Sequence, residues 1–166
     1  MAEDNVVFAK ANALFLEPAG LDVTVAYDGL EAWTYAQQSQ YDLFLTDYDM
    51  PKLKGADLCR RIRRVSRYAS TPIVLMTCYG RDLDVLGLRD ELQLSAVLKK
   101  PIQQSALLRT INECLSANSK CSPNESDQLD DILCDVKALK TSTVSAIRSI
   151  FQGQRVMVLN GPLEGV

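Results

Sequence analysis

The chain has 166 residues, 47% of them hydrophobic and 23% charged, with a formal net charge of −3, which allows one full-sized domain plus an appendage and gives no general reason to expect nucleic acid as a partner. It has no histidine, and its five cysteines lack CxxC spacing, which excludes His-based general-base catalysis and a phosphohistidine made by the chain itself, and leaves no zinc site to expect. No run of 18 apolar residues and no basic-then-hydrophobic leader occurs, so the expected setting is cytoplasmic, without a membrane span and with reduced thiols.

Residues 5–18 carry a helical pattern through Val6, Phe8, Ala9, Ala13, Leu14 and Leu16 that stops at Pro18-Ala19-Gly20. Leu21 to Ala26 alternates with period two, as a half-buried strand does. Helix follows from Gly29 to about Gln38. Tyr41-Asp42-Leu43-Phe44-Leu45-Thr46-Asp47 is then an apolar run that ends abruptly in a carboxylate, before a turn with Met50-Pro51 and Gly55. Continuous apolar runs read as buried parallel strands. Open α/β sheets bind ligands beyond the carboxyl ends of their strands, so Asp47 is expected to carry chemistry.

Residues 56–67 read as a helix with Leu58, Cys59, Ile62 and Val65 on one side. Arg60, Arg63, Arg64 and Arg67 cluster opposite and are expected to form a solvated face in preference to a nucleic-acid footprint. Strand 72–77 ends in Thr77, helix 81–92 follows, strand 95–99 runs into Lys99-Lys100-Pro101, and helix 103–116 completes the alternation. A proline bond is where the cis form costs little, and Lys100-Pro101 is expected to be cis. After a linker, Ser122-Pro123-Asn124-Glu125 has the N-cap serine, first-turn proline and third-position glutamate of a capping box. Leu129, Ile132, Val136, Leu139, Thr143, Ile147 and Ile150 then recur at intervals of three and four. Last comes Arg155 to Leu159, one basic and four apolar residues, a strand.

Four features stand near strand ends in order: the acids Glu3 and Asp4, then Asp47, Thr77, and Lys100 directly before proline. Together they resemble the receiver domain of two-component response regulators over residues 2–117. The resemblance implies an α/β, flavodoxin-like, doubly wound parallel sheet of five strands in the order 2-1-3-4-5. It implies that Asp47 accepts a phosphoryl group from a histidine kinase or phosphotransfer protein, and that the chain is no enzyme beyond self-phosphorylation and autodephosphorylation there. Mg2+ would be held by Glu3, Asp4, Asp47 and the backbone carbonyl of Asp49, with Asp4 the preferred direct ligand, while Thr77 and Lys100 would contact phosphate oxygens. Local explanations compete: helix capping for Glu3 and Asp4, a turn role for Thr77, and Lys99 as the alternative to Lys100. Cys78 stands where the family has a small residue, and Val97 replaces an aromatic that turns inward on activation, so that switch is expected to be muted. Tyr79 is placed to modulate access to the phosphate.

In the family a hydrophobic strand directly precedes the acid pair, whereas Met1 stands directly before Ala2-Glu3-Asp4. Arg155–Leu159 has the composition of that strand and is expected to insert, parallel, between strands 22–27 and 42–47. The expected organisation is a receiver domain over 1–118 lacking its first strand, a linker and long amphipathic helix over 119–152, and a completing strand within 153–166. A straight helix from 123 to 151 would be about 43 Å long at 1.5 Å per residue, so return to the same sheet needs a break. Lys140-Thr141-Ser142-Thr143 is the weakest stretch for one. Without a break the strand reaches a second copy; a strand-swapped homodimer is preferred, because it gives the heptad-like face a partner. Residues 119–166 lack a helix-turn-helix pattern, so the parent is expected to be a single-domain regulator or one receiver of a hybrid kinase. Two other readings stand beside this one. The first is a pseudo-receiver that binds partners without phosphorylation. The second is an aspartyl-nucleophile, magnesium-dependent phosphatase suggested by Asp47-Tyr48-Asp49, although Pro51 falls where those enzymes have threonine.

Overall fold

The computed structural model describes residues 13–50, 52–78, 85–118, 151 and 153–159. Helix α1 is seen over residues 13–16 and closes in a turn at Gly20, whose φ of 97° is the left-handed geometry glycine supplies. There follow β1 (Asp22–Ala26), α2 (Gly29–Gln38), β2 (Leu43–Asp47), α3 (Gly55–Arg63), a 3₁₀ turn (Ser66–Tyr68) and β3 (Ile73–Thr77). Helix α4 (Val85–Leu92), β4 (Ala96–Lys99), α5 (Gln104–Asn118) and β5 (Arg155–Leu159) complete the order.

All strand pairs are parallel, and the sheet runs β1-β5-β2-β3-β4. This is the expected 2-1-3-4-5 arrangement with the C-terminal strand in the first strand's slot. The three inner strands are the continuous apolar runs, buried on both faces apart from Arg155 at the mouth of β5. The edge strands β1 and β4 are only partly covered. Period-two alternation sends successive side chains to two separate cores. Leu43, Leu45, Val74, Met76, Val156 and Val158 join α1 and α5 on one face. Phe44, Ile73, Leu75, Met157 and Leu159 join α2, α3 and Leu92 on the other.

Insertion of the last strand is borne out in register: Asp22 to Ala26 pair with Arg155 to Leu159, and Leu43 to Thr46 with Val156 to Leu159. Arg155 fixes that register from both sides. Its N–H donates to the Asp42 carboxylate at 2.8 Å while its carbonyl accepts the Asp42 N–H at 2.8 Å. Its guanidinium pairs with Asp22 at 3.0 Å. The strand fills this slot with a pairing that is the same whether it comes from its own chain or from a second copy. The capping box, the heptad-like pattern and the Lys140–Thr143 stretch lie outside the described residues.

The helix expected over 56–67 is shorter than that. It ends at Arg63, Val65 is extended, and a 3₁₀ turn follows. The reason is tertiary. Arg63 donates to the carbonyls of Tyr68 (2.9 Å), Thr71 (2.7 Å), Leu92 (3.2 Å) and Gln93 (2.7 Å), folding the chain back around its guanidinium. Arg67 donates to the Ala36 and Gln37 carbonyls at the end of α2, and Arg60 bonds Asp57 and Glu91. The arginine stripe is the exposed face expected at Arg60, Arg64 and Arg67, with Arg63 half-buried, and it also has a tertiary role. Three of its four members tie α3 and the turn after it to α2, to α4 and to the segment leading into β3.

Candidate functional site

Because the strands are parallel, the carboxyl ends of β2, β3 and β4 open at one edge of the sheet. Asp47 closes β2 beside Met76, and Thr77 closes β3 beside Lys99. The loops leaving them are stitched by backbone bonds, Tyr48 N–H to Met76 O and Lys100 N–H to Thr77 O, both 2.8 Å. Lys100 turns back over this edge and pairs with Asp47 Oδ2 at 2.5 Å, the two side chains 13% and 6% exposed. Lys99 is exposed on the strand itself, so of the two lysines it is Lys100 that meets Asp47. The Lys100-Pro101 bond is cis, as expected. Thr77 is buried, and Cys78, next in the chain, is an exposed free thiol.

Burial lifts the Asp47 carboxyl above the usual aspartate range. The Lys100 ammonium and the Asp49 N–H pull in the opposite direction, and the Asp49 charge adds to the rise. Desolvation wins because the group is almost wholly removed from water. The consequence for stability has a definite sign. The folded chain holds the Asp47 proton more tightly than the unfolded one, so this contribution is fully present below the ordinary aspartate value and is lost as pH rises through the folded value. Asp47→Asn is therefore expected to melt above the wild type at pH 7 in metal-free buffer, with the gap closing toward about pH 4. A variant that melts lower at pH 7 contradicts this.

The loop after β2 is tightly drawn. Gly55 donates its N–H to the Tyr48 carbonyl at 3.0 Å, and a Cβ on Gly55 would lie 2.1 Å from the Asp47 carbonyl oxygen. The Thr46 hydroxyl donates to that same oxygen at 3.2 Å. Val97 is half-buried against the core on the α2–α3 face.

Asp47, Asp49, Thr77 and Lys100 are thus gathered at one edge, while Glu3, Asp4 and Tyr79 lie outside the described residues. Among the described residues no three metal-ligating side chains cluster. What is present, a buried carboxylate with a second acid two residues on, is hard-oxygen chemistry and fits Mg2+. Sequence reasoning missed Asp28 and Lys52, which meet beside this loop. The only local sign was Asp28-Gly29-Leu30-Glu31, an acidic N-cap followed by glutamate.

The profile of the response regulator receiver domain matches residues 1–112. The chain belongs to this family.

A CpxR homolog, a transcriptional regulatory protein of Haemophilus influenzae, is 35% identical over 128 residues, which is 76% of this chain and 54% of that protein. The probable transcriptional regulator ycf29 of Porphyra purpurea is 28% identical, over 79% of this chain and 62% of its own length. This receiver chain thus spans little more than half of such relatives. Among solved structures, chemotaxis protein CheY4 of Vibrio cholerae superposes with a TM-score of 0.63 at 28% identity, covering 68% of this chain and 92% of that one. A receiver domain of a Pseudomonas aeruginosa sensor histidine kinase, solved with magnesium in its active-site cleft, gives 0.61 at 26% identity, covering 67% and 90%. The receiver fold read from the strand-end motifs is confirmed. No helix among the described residues is long and apolar enough to cross a membrane.

Proposed function

We propose that this receiver domain is a phosphoacceptor in a two-component relay, with Asp47 as the acceptor. The observation that carries the reading is the 2.5 Å pairing of Lys100 with a nearly buried Asp47 at the carboxyl edge of the sheet. A carboxylate meets an incoming phosphoryl group with like charge, and transfer relies mostly on positioning and neutralisation. Lys100 supplies a compact positive charge there.

In the transfer, an Asp47 carboxylate oxygen forms the new O–P bond as the P–N bond of a partner's phosphohistidine breaks, and the bonding electrons leave with the imidazole. The product is an acyl phosphate. Lys100 follows the charge onto a phosphoryl oxygen, and the Thr77 hydroxyl donates to another. Mg2+ would be held by the Asp47 carboxylate, the Asp49 carbonyl, Glu3 and Asp4, and when bound it neutralises phosphoryl charge. The partner is a histidine kinase or phosphotransfer protein in the cytoplasm. Hydrolysis of the acyl phosphate resets the site. Filled acceptor, threonine and lysine positions favour this reading over a pseudo-receiver.

Incubation with acetyl phosphate and Mg2+, followed by intact mass, tests it. The wild type is expected to gain one phosphoryl group only with Mg2+, and Asp47→Asn none. Phosphorylation that persists in the variant moves the acceptor elsewhere, and an unmodified wild type removes the function.

A further inference from the structure

Asp28 serves two structures at once. Its Oδ1 accepts the N–H groups of Leu30 and Glu31 at 2.9 and 2.8 Å and so caps α2. Its Oδ2 points the other way, to Lys52 Nζ at 2.6 Å in the loop between β2 and α3. Lys52 has a φ of 64°, a left-handed conformation uncommon for a lysine, which costs energy and persists where the surroundings hold it. The next residue meets the same helix end: a Cβ on Gly29 would lie 2.3 Å from the Leu53 carbonyl oxygen. The far end of α2 is tied down as well, by Tyr68 and Arg67 on its last carbonyls. Helix α2 is therefore a fixed post, and the loop leans on it.

That loop carries Asp49 and begins at the acceptor strand. We propose that the Asp28–Lys52 pair is a latch that holds the loop in the geometry the phosphoryl site needs, making both side chains positioning residues. The inference rests on the reading of Asp47 as phosphoacceptor. A bland alternative is an ordinary surface ion pair. Lys52 is 61% exposed, and such pairs contribute little to overall stability. The two readings therefore separate cleanly: a latch acts on the loop and the metal, with the melting temperature left nearly unchanged.

Lys52→Met removes the ammonium and leaves the cap of α2 intact. Asp28→Asn keeps a side chain equally good as an N-cap and weakens the pairing. Both are made in the full chain, with Lys52→Arg as the conservative control. Amide hydrogen exchange without metal is read over residues 48–54, and Mg2+ alone is titrated by calorimetry. The expected result is faster exchange confined to the loop and Mg2+ affinity weakened by about two- to fivefold, the range exposed ion pairs reach. Melting should stay within about 2 °C of wild type, and Lys52→Arg should restore both readouts. Unchanged loop exchange in Lys52→Met overturns the latch. So does faster exchange with unaltered Mg2+ affinity, or an arginine variant as impaired as the methionine one. A wild type that binds no Mg2+ sinks the phosphoacceptor reading and the positioning role with it, while the exchange data still report whether the pair holds the loop.

Discussion

A chain lacking residues 153–166 is expected to lose cooperative unfolding altogether. Strand β5 is not trim on an edge. It lies between β1 and β2, and Val156, Met157, Val158 and Leu159 are fully buried. Burying each such side chain is worth about 1.5–3 kcal/mol. Its removal also leaves facing N–H and C=O groups of β1 and β2 unpaired in mid-sheet, at about 1–3 kcal/mol each where water cannot reach them. Against a typical net stability of about 5–15 kcal/mol, the loss exceeds what the rest of the domain has in reserve. Chemical denaturation followed by circular dichroism checks it, and a truncated chain with a sharp transition contradicts the role given to β5. The same slot can be filled by a second copy with identical pairing. Size exclusion of the full chain separates the two: elution at dimer mass assigns the exchange, elution as a monomer assigns closure within one chain.

Gly55→Ala is expected to damage fold and site together. The added methyl would sit 2.1 Å from the Asp47 carbonyl oxygen and 3.1 Å from the Tyr48 Cα, both backbone atoms that no rotamer change can move. Relief requires α3 to back away or the end of β2 to shift, and the second displaces the acceptor. Overpacking of this kind costs about 1–3 kcal/mol, a drop in melting temperature of about 2–10 °C for a chain of this size. Phosphorylation by acetyl phosphate should slow by more than the stability loss explains when measured well below the melting temperature. A variant that melts and phosphorylates like wild type would show that the loop has slack.

Much of the sheet was legible because inner parallel strands are apolar on both faces. Residues 43–47, 73–77 and 155–159 stand out as continuous runs with polar ends, and the strand that closes the sheet was recognisable by composition alone. The site was legible in part for a related reason: Asp47, Thr77 and Lys100 each end such a run or directly follow one, so placing the strands places the residues. What stayed hidden depends on residues distant in sequence. The early end of α3 follows from carbonyls of Tyr68, Thr71, Leu92 and Gln93 that surround Arg63, and no helical periodicity encodes them. The Asp28–Lys52 pair joins residues 24 apart with no local mark on the lysine.

The position of β5 also bears on how the molecule comes into being. Asp22 and Arg155 are 133 residues apart in the chain and adjacent in the sheet. Synthesis proceeds from the N-terminus, so β1, β2, β3 and β4 all emerge before the strand that joins the first two. Until residue 159 has been made, β1 and β2 present bare strand edges of the kind that recruit other chains. Pairing across so long a loop is also intrinsically slow. The nascent domain therefore depends on its last strand arriving in time, and its period of greatest exposure to aggregation falls while the protein is still being translated.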